Sequence, residues 1–228
     1  MKNLILQHFD GELRQLDKLS MANIQAYAKM IGADYRLITG RPLDERLTGP
    51  CQKVYMIHPE FDEYDNVLML DIDMFAPKGM TEDVFTVKGH GMYNDTQKML
   101  HRKIVDQYGF FADKGKPYWG GAIYKFDKAT RQRFWQVWSN DDNTYLWTQN
   151  YNQAYHFEDE GIFHSLTVFG SMYFREQDRY IDNKWCQCSF LPNPEKAGFI
   201  HIRTKVTPQG PKREKMENYL DLVDRGIL

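Results

Sequence analysis

Cysteine is scarce in this sequence. Its 228 residues contain three, Cys51, Cys186 and Cys188, with no CxxC pair among them. A disulfide framework is therefore excluded as the organiser of the fold, and reduced thiols are the expected state. Cys186 and Cys188 also lack the second cysteine pair or histidine cluster that a zinc site would need. Long apolar runs are missing too. The N-terminal stretch MKNLILQHFD holds a single run, Leu4 to Leu6, and nothing later approaches the about 18 apolar residues of a membrane span. The expectation is a soluble, cytoplasmic protein with no signal peptide and no transmembrane segment. Charge of one sign is also lacking: 29 Lys and Arg stand against 31 Asp and Glu, a net charge of −2. No bulk positive field is available to draw a nucleic acid.

What remains is the composition of an ordinary globular domain, 42% hydrophobic and 26% charged, with a mean hydropathy of −0.63. Aromatic residues are plentiful, and Trp119, Trp135, Trp138, Tyr145, Trp147 and Tyr151 lie in polar surroundings. Such residues form flat faces for sugars or bases, or else fill a core.

No repeat, low-complexity segment or linker divides the chain, so residues 1–228 read as one domain. NLILQ (3–7) reads as a buried strand. Leu16, Ser20, Ile24, Ala28 and Ile31 recur at helical spacing, with Gly32 placed to end the helix. YRLIT (35–39) is a second strand, residues 53–58 a helix stopped by Pro59, and NVLMLDID (66–73) a third strand. Alternating strands and helices imply a parallel α/β sheet. The second half is more mixed: a strand at 120–126, helices at 128–140 and 158–170, a strand at 197–204 and a terminal helix across 211–228. The basic cluster Lys212, Arg213 and Lys215 reads as a solvated helix face. Asn94, Asp95 and Thr96 match the glycosylation acceptor pattern, which matters only in a secretory compartment.

The run NVLMLDIDMFAP carries the chemistry. Four apolar residues lead directly into Asp71 and Asp73, and ligands of open parallel sheets bind beyond the carboxyl ends of the strands. Strand alternation points both carboxylates to one side, with Ile72 turned away. Two carboxylates so placed repel unless a proton or a cation separates them, and oxygen ligands select Mn or Mg.

With its Asp-x-Asp motif, NVLMLDIDMF resembles the corresponding strand of GT-A-fold glycosyltransferases, and four further segments extend the likeness to the glycogenin-type members. KVYMIHPEFDEYDNVLMLDID is similar to the lysine, helix and strand that precede the motif. YWGGAIYKF is similar to the glycine-containing strand beside the donor sugar, EDEGIFHSL to their Asp-Gln-Gly segment, and FIHIRTKVTP to their late histidine segment. The resemblance implies a single GT-A (Rossmann-like) α/β domain with a central, mostly parallel sheet flanked by helices. Residues 1–110 would form the nucleotide-binding half, 111–208 the acceptor and sugar half, and 209–228 a C-terminal helix.

The activity it implies is metal-dependent transfer of a sugar from a nucleoside-diphosphate sugar, a UDP-sugar above all, to a glycan or glycoprotein acceptor, with retention of configuration. Asp71, Asp73 and His201 would hold Mn (or Mg). His8 and Phe9 would face the base, Asp71 the ribose, and Lys53, Arg203 and Lys205 the phosphates. Lys205 lies four residues beyond His201, closer than the family pattern has it. Trp119, Gly120 and Gly121 would border the sugar, the glycines admitting it close to backbone. Glu158, Asp159 and Glu160 would orient the sugars, or supply a general base in an inverting enzyme. Two other readings compete: a haloacid-dehalogenase-like phosphatase, which also ends a strand in Asp-x-Asp, and a non-catalytic carbohydrate-binding domain built on the aromatics. The oligomeric state is left open.

Overall fold

The computed structural model describes residues 1–93, 115–140, 158–204 and 212–228. Strand β1 (Asn3–Phe9) lies at the centre of the first half, parallel to β2 (Asp34–Thr39) on one side and β3 (Asn66–Leu70) on the other. Its apolar run is continuous because both faces of the sheet are covered. Leu4 and Leu6, with Val67 and Met69 of β3, pack on one face against a 3-10 helix (Pro50–Ile57); Ile5, Leu68 and Leu70 pack on the other. That second face is covered by α1 (Gln15–Ile31), through Ile24, Tyr27 and Ala28. Asp17 and Arg14 close a capping box at the start of α1, and Gly32 ends it at φ 71°, a left-handed conformation open to glycine.

The sheet continues through β6 (Trp119–Asp127), β5 (Gly91–Tyr93) and β7 (Tyr180–Ile181), in the order β2-β1-β3-β6-β5-β7. Three of its pairings are parallel, and the two made by β6 are antiparallel, so the sheet is mixed, with two of the parallel pairings in the first half. Two helices, α2 (Lys128–Asn140) and α3 (Glu158–Phe169), send Phe134, Ile162, Phe163 and Leu166 into the first core. A second sheet orders β4 (Met74–Phe75), β9 (Ile200–His201) and β8 (Gln187–Cys188) as β4-β9-β8. Helix α4 (Glu176–Arg179) is a single turn, and α5 (Lys215–Asp224) lies near the C-terminal end of the sequence. It packs Leu222 with Phe75, Ile200 and Ile202 in a third core.

Three expectations need correction. The helix expected at 53–58 is 3-10 and starts at Pro50, whose fixed φ suits a first helical position. The strand expected over 197–204 forms a ladder only at Ile200–His201, since β4 offers two residues to pair with. The strand expected to reach Asp73 stops at Leu70. A turn follows, closed by Met74 N–H donating to Asp71 O at 3.2 Å. Among the described residues no helix is long and apolar enough to cross a membrane. Asn94, Asp95, Thr96, Tyr145, Trp147, Tyr151 and Lys205 lie outside the described residues.

Candidate metal and nucleotide-sugar site

Asp71 keeps a last sheet contact, its N–H donating to Ala122 O at 3.0 Å. The turn then carries Asp73 round, so the two carboxylates converge by a reversal of the chain rather than by strand alternation. β9 supplies the third member: His201 pairs opposite Met74, and Ile202 N–H donates to Asp73 O at 3.0 Å. His201 Nε2 is thereby placed 3.2 Å from Asp73 Oδ1 and 3.8 Å from Asp71 Oδ2. One ligand atom from each of the three residues falls within 4.8 Å of the others. Two carboxylates and an imidazole make a donor set that suits Mn or Mg, so the residues fit such an ion. The carboxylates are already engaged by cations of the chain. Asp73 Oδ2 accepts from the Lys215 ammonium at the start of α5. Burial pushes the Asp73 carboxyl up, but His201 and Lys215 outweigh it and hold it well below the usual carboxylate range.

Behind Asp71 lies a second, drier cluster. Lys53, on the 3-10 helix, donates to Asp71 Oδ1 at 2.7 Å and to Gly121 O at 2.6 Å, and lies 2.7 Å from Asp159 Oδ2. Burial alone would lower its ammonium, yet Asp159 and Asp71 raise it well above its ordinary value. Asp159 also accepts from Tyr124 OH at 2.9 Å, and Glu160 Oε1 accepts from Gly121 N–H at 2.6 Å. Burial, reinforced by the neighbouring Asp159 charge, pushes Glu160 up to about 8. A Cβ on Gly121 would come within 2.9 Å of Asp159 Oδ2. The acids at the start of α3 thus grip the backbone of β6 and the lysine beneath it.

A pocket of about 330 Å³ opens over the Asp pair, lined by His8, Phe9, Arg14, Lys53 and Lys215 as well as by the aspartates. His8 Nε2 is bonded to Gly40 O at 2.7 Å, and burial lowers its pKa. Burial thus favours the uncharged ring, compatible with an uncharged neighbour such as a base.

Of the residues singled out in the sequence, the fold brings together His8, Phe9, Lys53, Asp71, Asp73, Gly121, Asp159, Glu160 and His201. Others fall elsewhere. Trp119 is 1% exposed and donates from Nε1 to Arg179 O, packed edge-on to Phe126 and Phe174; it offers no face to a sugar, because core packing claims the indole. Gly120 faces Met92 rather than the pocket. The exposed Arg203 has Cys188 Sγ as its guanidinium neighbour, at 4.0 Å, and is absent from the pocket lining. The Glu158 side chain lies outside the described residues. Sequence reasoning missed Lys215, whose charge neighbours Lys212 and Arg213 disguised it as solvated surface, and Tyr124, which reads as one more core aromatic of its strand.

No protein-family model and no curated protein matches the chain. Solved structures do. One is a glycosyltransferase involved in the glycosylation of the major capsid of PBCV-1, with a TM-score of 0.57 at 14% identity, covering 98% of this chain and 100% of that one. Another is the galactosyltransferase LgtC in complex with donor and acceptor sugar analogs, with a TM-score of 0.52 at 13% identity, covering 97% of this chain and 95% of that one. At such identities the likeness is one of fold, and the fold is that of the GT-A glycosyltransferases.

Proposed function

We propose that the protein is a metal-dependent glycosyltransferase that moves a sugar from a UDP-sugar to a glycan or glycoprotein acceptor, with retention at the anomeric carbon. The observation that carries this reading is the convergence of Asp71, Asp73 and His201 at the carboxyl end of β3 in a GT-A fold. The two structures described above are both of glycosyltransferases, which supports a sugar donor and a glycan acceptor.

Breaking the bond between sugar and pyrophosphate leaves negative charge on the diphosphate. A bound Mn or Mg ion, held by Asp71, Asp73 and His201, would supply the charge neutralisation that this leaving group needs. The chain's own residues do the rest. Lys53 fixes Asp71 and Asp159 in one arrangement, so neither carboxylate must reorganise as the sugar departs. Glu160 holds the Gly121 N–H, keeping the β6 backbone aligned beside the pocket. His8 and Phe9 would border the base, and Lys205 would meet the phosphates. Of the acids whose side chains are described, Asp159 is committed to Lys53 and burial holds Glu160 towards its protonated form, so neither is suited to act as a general base on an acceptor hydroxyl. A retaining transfer needs no such base. A cytoplasmic setting completes the reading, and three cysteines with no disulfide among them support it.

The test is a thermal-shift screen of nucleoside diphosphates with and without Mn. UDP at about 100 times its Kd stabilises by about 2.7 kcal/mol, or roughly 5–10 °C for a chain of this size, and only when Mn is present. A rise that ignores Mn, or no rise with any nucleotide, overturns the proposal. Hydrolysis of p-nitrophenyl phosphate would point instead to the phosphatase reading, which no structural observation favours.

A further inference from the structure

The cation on Asp73 comes from the far end of the chain. Lys215 stands 142 residues away in sequence, and its ammonium donates to Asp73 Oδ2 while His201 Nε2 faces Oδ1. The Asp73 side chain is 6% exposed and the Lys215 side chain 36%, so the pair sits at the mouth of the pocket with the lysine on the outer side. A divalent cation held by His201 and Asp73 would share that carboxylate with the ammonium, crowding like charges across the two oxygens of one group. Release of the lysine relieves the crowding.

The helix is not the part that leaves. Leu222 and Ile227 are buried with Phe75, Ile200 and Ile202. Asn218 Nδ2 donates to Arg203 O at 2.6 Å, and Lys78 N–H donates to Ile227 O at 2.8 Å. The first turn is closed by a capping box in which Glu214 N–H donates to Glu217 Oε2 at 2.7 Å. With the backbone so anchored, only the lysine's flexible four-carbon stem can move. Its head then stays over the same pocket, which Lys215 lines together with His8, Phe9 and Lys53.

We propose that Lys215 is an exchangeable counter-ion of the donor site: it neutralises the Asp73 carboxylate before the donor arrives, gives up that role to a divalent cation, and transfers to the diphosphate of the same nucleotide. The proposal rests on the metal-dependent glycosyltransferase reading above. Its consequence is cooperativity. Metal alone must evict an ammonium that gains no new partner, whereas metal with diphosphate gives the ammonium one, so each ligand strengthens the other's binding by the same factor.

The experiment measures two affinities, of Mn alone by electron paramagnetic resonance and of UDP in saturating Mn by calorimetry. It compares the full chain with its Lys215→Met, Lys215→Arg and Asp73→Ala variants. Lys215→Met is expected to bind Mn alone about fivefold more tightly, the cost of displacing one partly exposed ion pair being gone. The same variant is expected to bind UDP in saturating Mn about tenfold more weakly, one charge-assisted contact being lost. Lys215→Arg should keep the wild-type pattern. If Lys215→Met binds either ligand like wild type while Asp73→Ala loses Mn, the exchange is overturned and the metal site stands. If Asp73→Ala binds Mn like wild type, the metal site falls and the exchange falls with it.

Discussion

Lys53 and Asp159 meet at 2.7 Å in the interior, the lysine side chain 10% exposed and the aspartate side chain 7%. No other described cation is paired with Asp159 in a salt bridge, and the same ammonium serves Asp71. Removing it leaves two carboxylates facing each other with Glu160 close by. Lys53→Met is expected to destabilise the protein by about 3–5 kcal/mol, as broken buried ion pairs do, and to abolish Mn-dependent nucleotide binding. Urea denaturation measures the first effect. Adding Asp159→Asn should recover part of the loss, because the two sites are coupled.

Asp73 and His201 divide the metal site unequally. Asp73→Ala should abolish the Mn-dependent thermal shift given by UDP. His201→Ala should weaken Mn binding by at least about tenfold, since losing an outer partner of a ligand already costs that much. Titration of Mn against a constant UDP concentration separates the two outcomes. Wild-type shifts in both variants would remove this site from consideration.

Glu160 makes stability fall as pH rises. Its carboxyl is pushed from 4.5 up to about 8 by burial and by Asp159, so the folded protein keeps a proton that the unfolded chain has released. Across the window between those values the folded state binds more protons, and stability declines through it. Glu160→Gln preserves the acceptor for Gly121 N–H and has no proton to lose. It should match the parent near about pH 4 and exceed it increasingly towards about pH 8, as read from urea midpoints across a pH series.

Gly120 and Gly121 should respond unequally to alanine. At Gly121 the new Cβ meets Asp159 Oδ2 at 2.9 Å and Glu160 Oε1 at 3.3 Å, two groups pinned by their own hydrogen bonds. Gly121→Ala is expected to cost about 1–3 kcal/mol and to weaken donor binding. At Gly120 it meets the flexible Met92 side chain, nearest at 3.1 Å, which can give way. Gly120→Ala should cost under about 1.5 kcal/mol and leave nucleotide affinity intact.

Much of the architecture is legible before folding is considered. β1 and β3 announce themselves as unbroken apolar runs because both their faces are buried, the helix at 128–140 shows in the spacing of its aromatics, and the one at 158–169 opens on three acids. Asp71, Asp73 and His201 were visible as strand-end residues of the right chemistry. These features depend on neighbours within a few residues, and local patterns report such neighbours directly. The environment of each polar side chain is another matter. Lys53 sits under two carboxylates instead of in solvent, Lys215 faces Asp73 instead of water, Trp119 turns into the core, and Gly121 answers to Asp159. Each depends on a partner tens of residues away, brought near by the packing of β4 on β9, α3 on β6, or α5 on the third core. Spacing along a chain records which face of an element is buried. It carries no record of what waits on the other side, and that was settled only when the layers closed.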